Sequence, residues 1–288
     1  MKTRFQVIEP YLYIAPYFVV FILFLVAPAI SGMVIGFYDW PVVGDKHYLG
    51  LGNFQELFGD PMFIKSVLNT LEYSLMYMPI FMVGGLALAL LLNRSFIGKS
   101  AMRMIIYAPY VFMIPAIGVM WRWFLDTNYG ILNYYLGVLH LGTVKWLTNP
   151  HVALKSIVMV ISWEVLGYSM VIFLAGLQEI PAELYEAAEI DGASPAQKLW
   201  RITLPFLRPT AFFLFVIGLI GALKTFGQPL MITAGGPLNS SMTVVMALFY
   251  QGFKYFRMGY AAAISALLFL GILIVTLLQF RLIRQRNV

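Results

Sequence analysis

The sequence predicts an all-α membrane protein with six transmembrane helices, and three observations carry that prediction. Of its 288 residues 61% are hydrophobic and only 11% charged, with a mean hydropathy of +0.82, outside the range of soluble domains. The apolar residues gather into six runs, at about 11–37, 67–92, 101–125, 156–177, 206–227 and 260–280, each long enough to cross about 30 Å of hydrocarbon as a helix. No run shows the short alternation of a transmembrane β-barrel strand, and backbone polar groups in hydrocarbon must be satisfied within the segment, so all six are expected to be helical.

The first run follows Lys2 and Arg4 and contains Ala27-Pro28-Ala29, the flanks of a secretory signal. It is longer than the roughly 7 to 15 apolar residues of such a signal, so a retained span is expected. Gly32 and Gly36 place small residues on one face of it, which favours close helix packing within the chain. Prolines 16, 28, 79, 109 and 115 lie inside the first three runs and predict kinks rather than ends. The connections at 38–66, 126–155 and 228–259 are too short for separate domains. Trp40, Trp121, Trp123 and Trp146 near their edges read as an interfacial aromatic belt.

Orientation follows from the basic residues. With the N-terminus inside, Lys2, Arg4, Arg94, Lys99, Arg103, Lys198, Arg201, Arg208, Arg281, Arg284 and Arg286 are cytoplasmic, eleven of nineteen Lys and Arg. The loop after the second run and the C-terminal tail are basic without an acid, which favours an N-in, C-in arrangement. The connection 178–205 is then cytoplasmic. The net charge of +6 is explained by these flanks, and no nucleic-acid signature accompanies it.

That connection is a polar island. Pro181 is expected in a first helical turn, with Glu183 where the helix dipole favours an anion and Leu184, Ala187 and Ala188 on one face. Gly192 stops this helix. Ser194-Pro195-Ala196-Gln197 then has the pattern of a capping box with proline at the first helical position. The product is a helix-turn-helix between the fourth and fifth spans.

The spacing Glu186-Ala187-Ala188, Asp191-Gly192, then Ile202, Leu204 and Pro205 resembles the EAA loop of permease subunits in binding-protein-dependent ABC importers. Gly130, Asn133, Trp146-Leu147, Pro150, the run Ile172–Gln178 and Thr233-Ala234-Gly235-Gly236-Pro237 extend the resemblance over most of the chain. They are similar to the sugar-permease branch, of the maltose and glycerol-phosphate type of first permease subunit. The resemblance implies a multi-pass protein of a prokaryotic cytoplasmic (inner) membrane that forms the path for a carbohydrate or related polyol. It implies that the loop, with Glu183 and Glu186 among its contacts, docks on a dimer of cytoplasmic ATPase subunits. The implied partners are those ATPases, a second and different permease, and an external solute-binding protein.

No chemistry of its own is expected in this chain. Gly98-Lys99-Ser100 ends like a phosphate-binding loop, but Asn93 stands where the first glycine belongs and a helical span precedes it. ATP and Mg are therefore expected on the partner, with no cofactor here. His47, His140 and His151 are scattered, so no metal site is expected, and the absence of cysteine excludes thiol chemistry. Ionisable residues inside spans are costly and are functional candidates. Glu72, Glu164 and Lys224 all fall in the outer half of their spans. Glu164, Gly167 and Tyr168 are expected on one helix face and Gly221, Lys224 and Gln228 on another, each glycine leaving room for a solute. Glu164, Tyr168, Lys224 and Gln228, with Glu72, are the candidate lining of a substrate path. A Glu164–Lys224 ion pair is the structural alternative. Proton coupling through Glu72 and Glu164 is the functional one, but the matched broken helices of an inverted repeat are not found.

Overall fold

The computed structural model describes residues 4–41 and 43–284, with side chains from 11 to 281 apart from residue 42. Lys2 and Arg286 lie outside the described residues, as do the side chains of Arg4 and Arg284. The fold is mostly helical: α1 (Arg4–Phe21), α2 (Ala27–Ile35), α3 (Gly52–Gly59), α4 (Pro61–Pro79), α5 (Gly85–Leu92), α6 (Lys99–Val111), α7 (Ile114–Phe124), α8 (Ile131–Val138), α9 (Ala153–Gln178), α10 (Ala182–Ile190), α11 (Pro195–Lys198), α12 (Leu204–Phe206), α13 (Arg208–Leu223), α14 (Gly227–Thr233), α15 (Val244–Phe249) and α16 (Met258–Arg284). A two-stranded antiparallel ribbon, β1 (Tyr38–Asp39) with β2 (His47–Tyr48), follows α2.

Among the described residues four continuous stretches are long and apolar enough to cross a membrane: Tyr11–Ile35, Pro61–Leu92, Ala153–Gln178 and Met258–Arg281. Two further pairs qualify only if each is counted as one span, α6 with α7, bent by 98°, and Pro195–Phe206 with α13, bent by 64°. The apolar run at 101–125 is therefore not one straight helix. Phe112 and Met113 are extended (ψ 150° and 133°) and Pro115 opens α7. The chain unwinds where the pyrrolidine nitrogen cannot donate a helical hydrogen bond.

The other prolines act differently. α1 runs through Pro16 unbroken. Ahead of Pro28 the helix loosens to a π-type turn over Ile22–Val26, with Ala27 N–H reaching back to Ile22 O. Pro79 is followed by a similar turn over Ile80–Gly84. Here Phe81 O accepts a hydrogen bond from the Ser169 hydroxyl of α9 at 2.7 Å, so an acceptor in apolar surroundings is satisfied by a neighbouring helix.

The chain divides into two compact units, Met1–Ile64 with Ala247–Ile274, and Lys65–Met246 with Val275–Val288. In the first, Gly36 lies against the backbone of Ala263, whereas Gly32 has open space around it; only Gly36 fulfils the expected packing role. Asn53 donates to Gly36 O and Tyr38 O, both at 2.9 Å. Arg257 bonds both carboxylate oxygens of Glu56, which holds the guanidinium above its usual range.

The second unit is organised by α9, whose buried residues pack with those of α4, α5 and α13 in one apolar cluster. The connection before α9 is fixed by Asn133. Its amide donates to Thr127 O and Val144 O, and its carbonyl accepts from Val144 N–H and the Trp146 indole. Trp146 is thus a structural partner more than a belt residue. In the same connection the N–H groups of Tyr129 and Asn128 hold the Asp126 carboxyl below the usual range. The Thr233–Pro237 element closes on Ser241, which donates to Gly236 O at 2.7 Å. The turn that follows is held from α4 by Asn69, donating to Asn239 O and Met242 O.

Candidate functional site

The connection between α9 and α13 is built almost entirely from local bonds. α10 begins at Ala182, so Pro181 is the residue before the helix rather than in its first turn. At its other end Gly192 takes φ +73°, its N–H bonds Glu189 O, and Ala193 N–H bonds Ala188 O at 2.8 Å. This pair of reverse bonds closes a helix C-terminus and needs a left-handed residue, which glycine supplies without a Cβ penalty. Both halves of the expected capping box form: Ser194 N–H to Gln197 Oε1 at 2.7 Å and Gln197 N–H to Ser194 Oγ at 3.3 Å. The chain then runs through a π-type turn, Leu199–Thr203, into α12 and α13.

Two side-chain links tie the legs of this hairpin together. Tyr185 Oη shares a 2.9 Å hydrogen bond with Thr203 Oγ1, and Lys198 pairs with Glu189 at 3.3 Å. Glu183, Glu186, Ala187, Asp191 and Gly192 are exposed, Ala188 is half-buried, and Ile202, Leu204 and Pro205 are half-buried at the root. Ala188, Asp191, Gly192, Lys198, Arg201 and Ile202 help line a depression of about 310 Å³ between the legs. Ile190 at the tip is 87% exposed, and Trp200 is exposed beside the root. Neither Ile190 nor Trp200 is covered by the rest of the chain. The motif spacing does not single out Ile190, Tyr185 or Thr203, although a lone large aliphatic before Asp-Gly is a signal for the first.

The candidates within the spans are distributed differently from expectation. Glu164, on α9, is 6% exposed. Its oxygens accept from Gln228 Nε2 at 3.1 and 2.9 Å. Lys224 is exposed, and the ion pairs among the described residues, Lys198–Glu189 and Arg257–Glu56, do not include the expected Glu164–Lys224 pair. α13 ends at Leu223 with Lys224 as the capping residue beyond it, and Phe226 (φ −145°, ψ −55°) interrupts the helix before Gln228. Gly221, Lys224 and Gln228 therefore do not share a helix face. Gly167 does not make room for a solute either. A Cβ there would collide with Ile106 O and Tyr107 Cα of α6, so this glycine serves close helix packing. Gly221 has open space. Glu72 is exposed on α4.

Tyr168 stacks on Tyr110 with ring centroids 4.8 Å apart. Tyr73, Tyr77 and Phe81 form a stacked ladder along α4 and the turn after it, at 5.5 and 5.3 Å. Tyr73, Tyr77 and Tyr110 lie within electrostatic reach of Glu164. Sequence reasoning missed this tyrosine surround, although the i, i+4 spacing of Tyr73, Tyr77 and Phe81 is visible in the chain. Among the described residues no three His, Asp or Glu side chains converge as metal ligands.

Residues 63–287 match the family described as binding-protein-dependent transport system inner membrane component. The chain is 31% identical to the sulfoquinovosyl glycerol transport system permease protein of Agrobacterium fabrum over 96% of this chain and 90% of that one. It is 33% identical to the arabinooligosaccharides transport system permease protein of Bacillus subtilis, over 95% and 88%. Among solved structures, a chain of a bacterial ABC transporter involved in the import of the acidic polysaccharide alginate superimposes with a TM-score of 0.86 and 25% identity, covering 97% of this chain and 98% of that one. A bacterial alginate ABC transporter in complex with alginate pentasaccharide-bound periplasmic protein matches equally well, with a TM-score of 0.86.

Proposed function

The chain belongs to the family of binding-protein-dependent transport system inner membrane components, and from that premise we propose how this permease subunit couples transport to ATP. It is a transport subunit and not an enzyme. We infer six spans, N-in and C-in, in a prokaryotic cytoplasmic membrane, with the bent pairs α6–α7 and α11–α13 each serving as one span. Two cytoplasmic ATPase subunits carry the ATP and Mg, and this chain carries no cofactor. A second, different permease completes the path, and an external binding protein delivers a carbohydrate or related polyol. Proton coupling gains no support from the family or its relatives.

The observation that carries the coupling reading is the exposed, locally capped hairpin of α10 and α11 with Ile190 uncovered at its tip. A helix entering a cleft needs an apolar anchor surrounded by charges, and Ile190 among Glu186, Glu189 and Asp191 provides it. Motion of α10 passes to α13 because Tyr185–Thr203 and Lys198–Glu189 join the legs, and α13 packs closely on α9 where Gly176 faces Leu207 and Thr210. ATP-driven closure of the partners would thereby reorient helices around the path lined by Glu164, Tyr168 and Gln228, with Glu72 and Lys224 nearer its edges.

The test is capture of co-expressed ATPase by the solubilised chain. Wild type retains the ATPase. Ile190→Asp, Glu186→Lys and Gly192→Asp lose it while keeping a monodisperse elution profile. Retention by Ile190→Asp at wild-type level would remove the hairpin from the coupling interface.

A further inference from the structure

We propose that Gln228 occupies, in this conformation, the place of a solute diol on Glu164, and that the translocated solute is an uncharged glycan. The proposal rests on the permease reading and names the substrate class of its path.

A carboxylate placed within a span is expensive unless its lone pairs are satisfied. Glu164 has no cation partner among the described residues and is served by a single neutral amide, whose nitrogen lies 3.1 and 2.9 Å from its two oxygens. One donor group spread over two acceptors leaves much of the four lone-pair capacity unused. Two neighbouring hydroxyls would use it better, since each could donate one short bond to one oxygen. A vicinal diol supplies that geometry, and an ordinary pyranose or furanose carries at least one.

The surroundings fit the same ligand. Tyr168 lies one helical turn from Glu164 on α9, and its ring stacks on Tyr110 with both side chains incompletely buried. Such faces accept the C–H side of a sugar ring while their hydroxyls remain available as donors and acceptors. Gln228 belongs to α14, joined to α13 through the non-helical residues 224–226. It can leave Glu164 by movement about that break without unwinding α9. An anionic glycan meets the opposite situation, because its carboxylate, sulfate or phosphate would face Glu164 with no described cation paired to it, and repulsion at low dielectric is large. Lys224, the cation nearest in sequence to Gln228, is outside ion-pair distance of Glu164.

The test uses the complete transporter, this chain with its second permease and ATPases, solubilised without the binding protein so that the path alone selects. Tritiated neutral di- to tetrasaccharides and the corresponding uronate oligosaccharides are titrated by equilibrium binding. Wild type is expected to bind at least one neutral member at least tenfold more tightly than any uronate. Glu164→Gln should weaken neutral binding about tenfold and collapse that discrimination. Gln228→Ala, which removes the competing amide, should tighten neutral binding several-fold. Uronate binding equal to neutral binding in wild type, no binding of any neutral glycan, or weaker neutral binding in Gln228→Ala would each overturn the proposal. ATPase capture, measured on the same preparations, stays at wild-type level in both variants. Failure of the coupling reading would appear there, and failure of the diol proposal only in the titrations.

Discussion

The α10–α11 hairpin and the Glu164–Gln228 cluster lie in the same compact unit and are built on opposite principles. In the hairpin every decisive bond joins residues at most eighteen positions apart: Ala193 to Ala188, Ser194 to Gln197, Tyr185 to Thr203. Most of its charged groups are exposed. The cluster joins residues 64 positions apart, around a carboxylate that is nearly sealed from solvent. A surface meant to fit a partner can be assembled locally and left rigid. A site that must open and close has to draw on separate helices, so that moving one against another changes it.

Two glycines sharpen this contrast, because each is required for a different reason. Gly167 sits at the α9–α6 contact beside the cluster, where a Cβ would strike backbone atoms that no rotamer change can move. Gly167→Ala is expected to destabilise the fold by about 3 kcal/mol, the upper range for overpacking, seen as an earlier thermal transition by fluorescence-detected size exclusion. A transition within about a degree of wild type, far less than such a loss implies, would show that α6 and α9 separate easily.

At Gly192 a Cβ would meet nothing within 4 Å, yet the backbone has φ +73°. Gly192→Ala should therefore cost about 1 kcal/mol, in local backbone conformation alone. The global transition should stay put while ATPase capture weakens several-fold. A large global shift would mean that the hairpin is not locally autonomous.

The smallest effect is expected at Tyr185→Phe, which removes one partly buried hydrogen bond to Thr203, about 0.5–1 kcal/mol. Capture should persist and ATP-driven transport should fall modestly, because the legs are still joined by Lys198–Glu189. Equal loss of capture and transport would place Tyr185 in the docking surface and not in the link between the legs.

How far each region is legible follows from the range of its interactions. The helix-turn-helix, its glycine stop and its capping box are readable because φ preference and side-chain capping act within a few residues. Ile190 escapes notice because a motif reports spacing and not exposure. For the path, Glu164, Tyr168 and Gln228 stand out as costly or polar residues in apolar runs, and Glu164 and Gln228 do meet. The way they meet is not readable: Lys224 does not pair with Glu164, and Gln228 reaches it across a helix break that composition does not mark. Pro115 marks the 98° bend between α6 and α7 only as a kink, since a missing donor weakens a helix but neighbouring helices decide how far it opens.

The sequence by itself determined that this is a helical multi-pass membrane protein, which segments are apolar enough to span, and the form of the hairpin between α9 and α13. These depend on composition, on chain-local hydrogen bonding and on the left-handed conformation that only glycine adopts cheaply. Tertiary structure alone decided that Gly167 serves packing, that Glu164 is met by an amide and not a cation, and that tyrosines of α4 and α6 lie within electrostatic reach of it. Those outcomes depend on which helix faces meet, and the packing of many weak contacts fixes that only when the whole unit assembles.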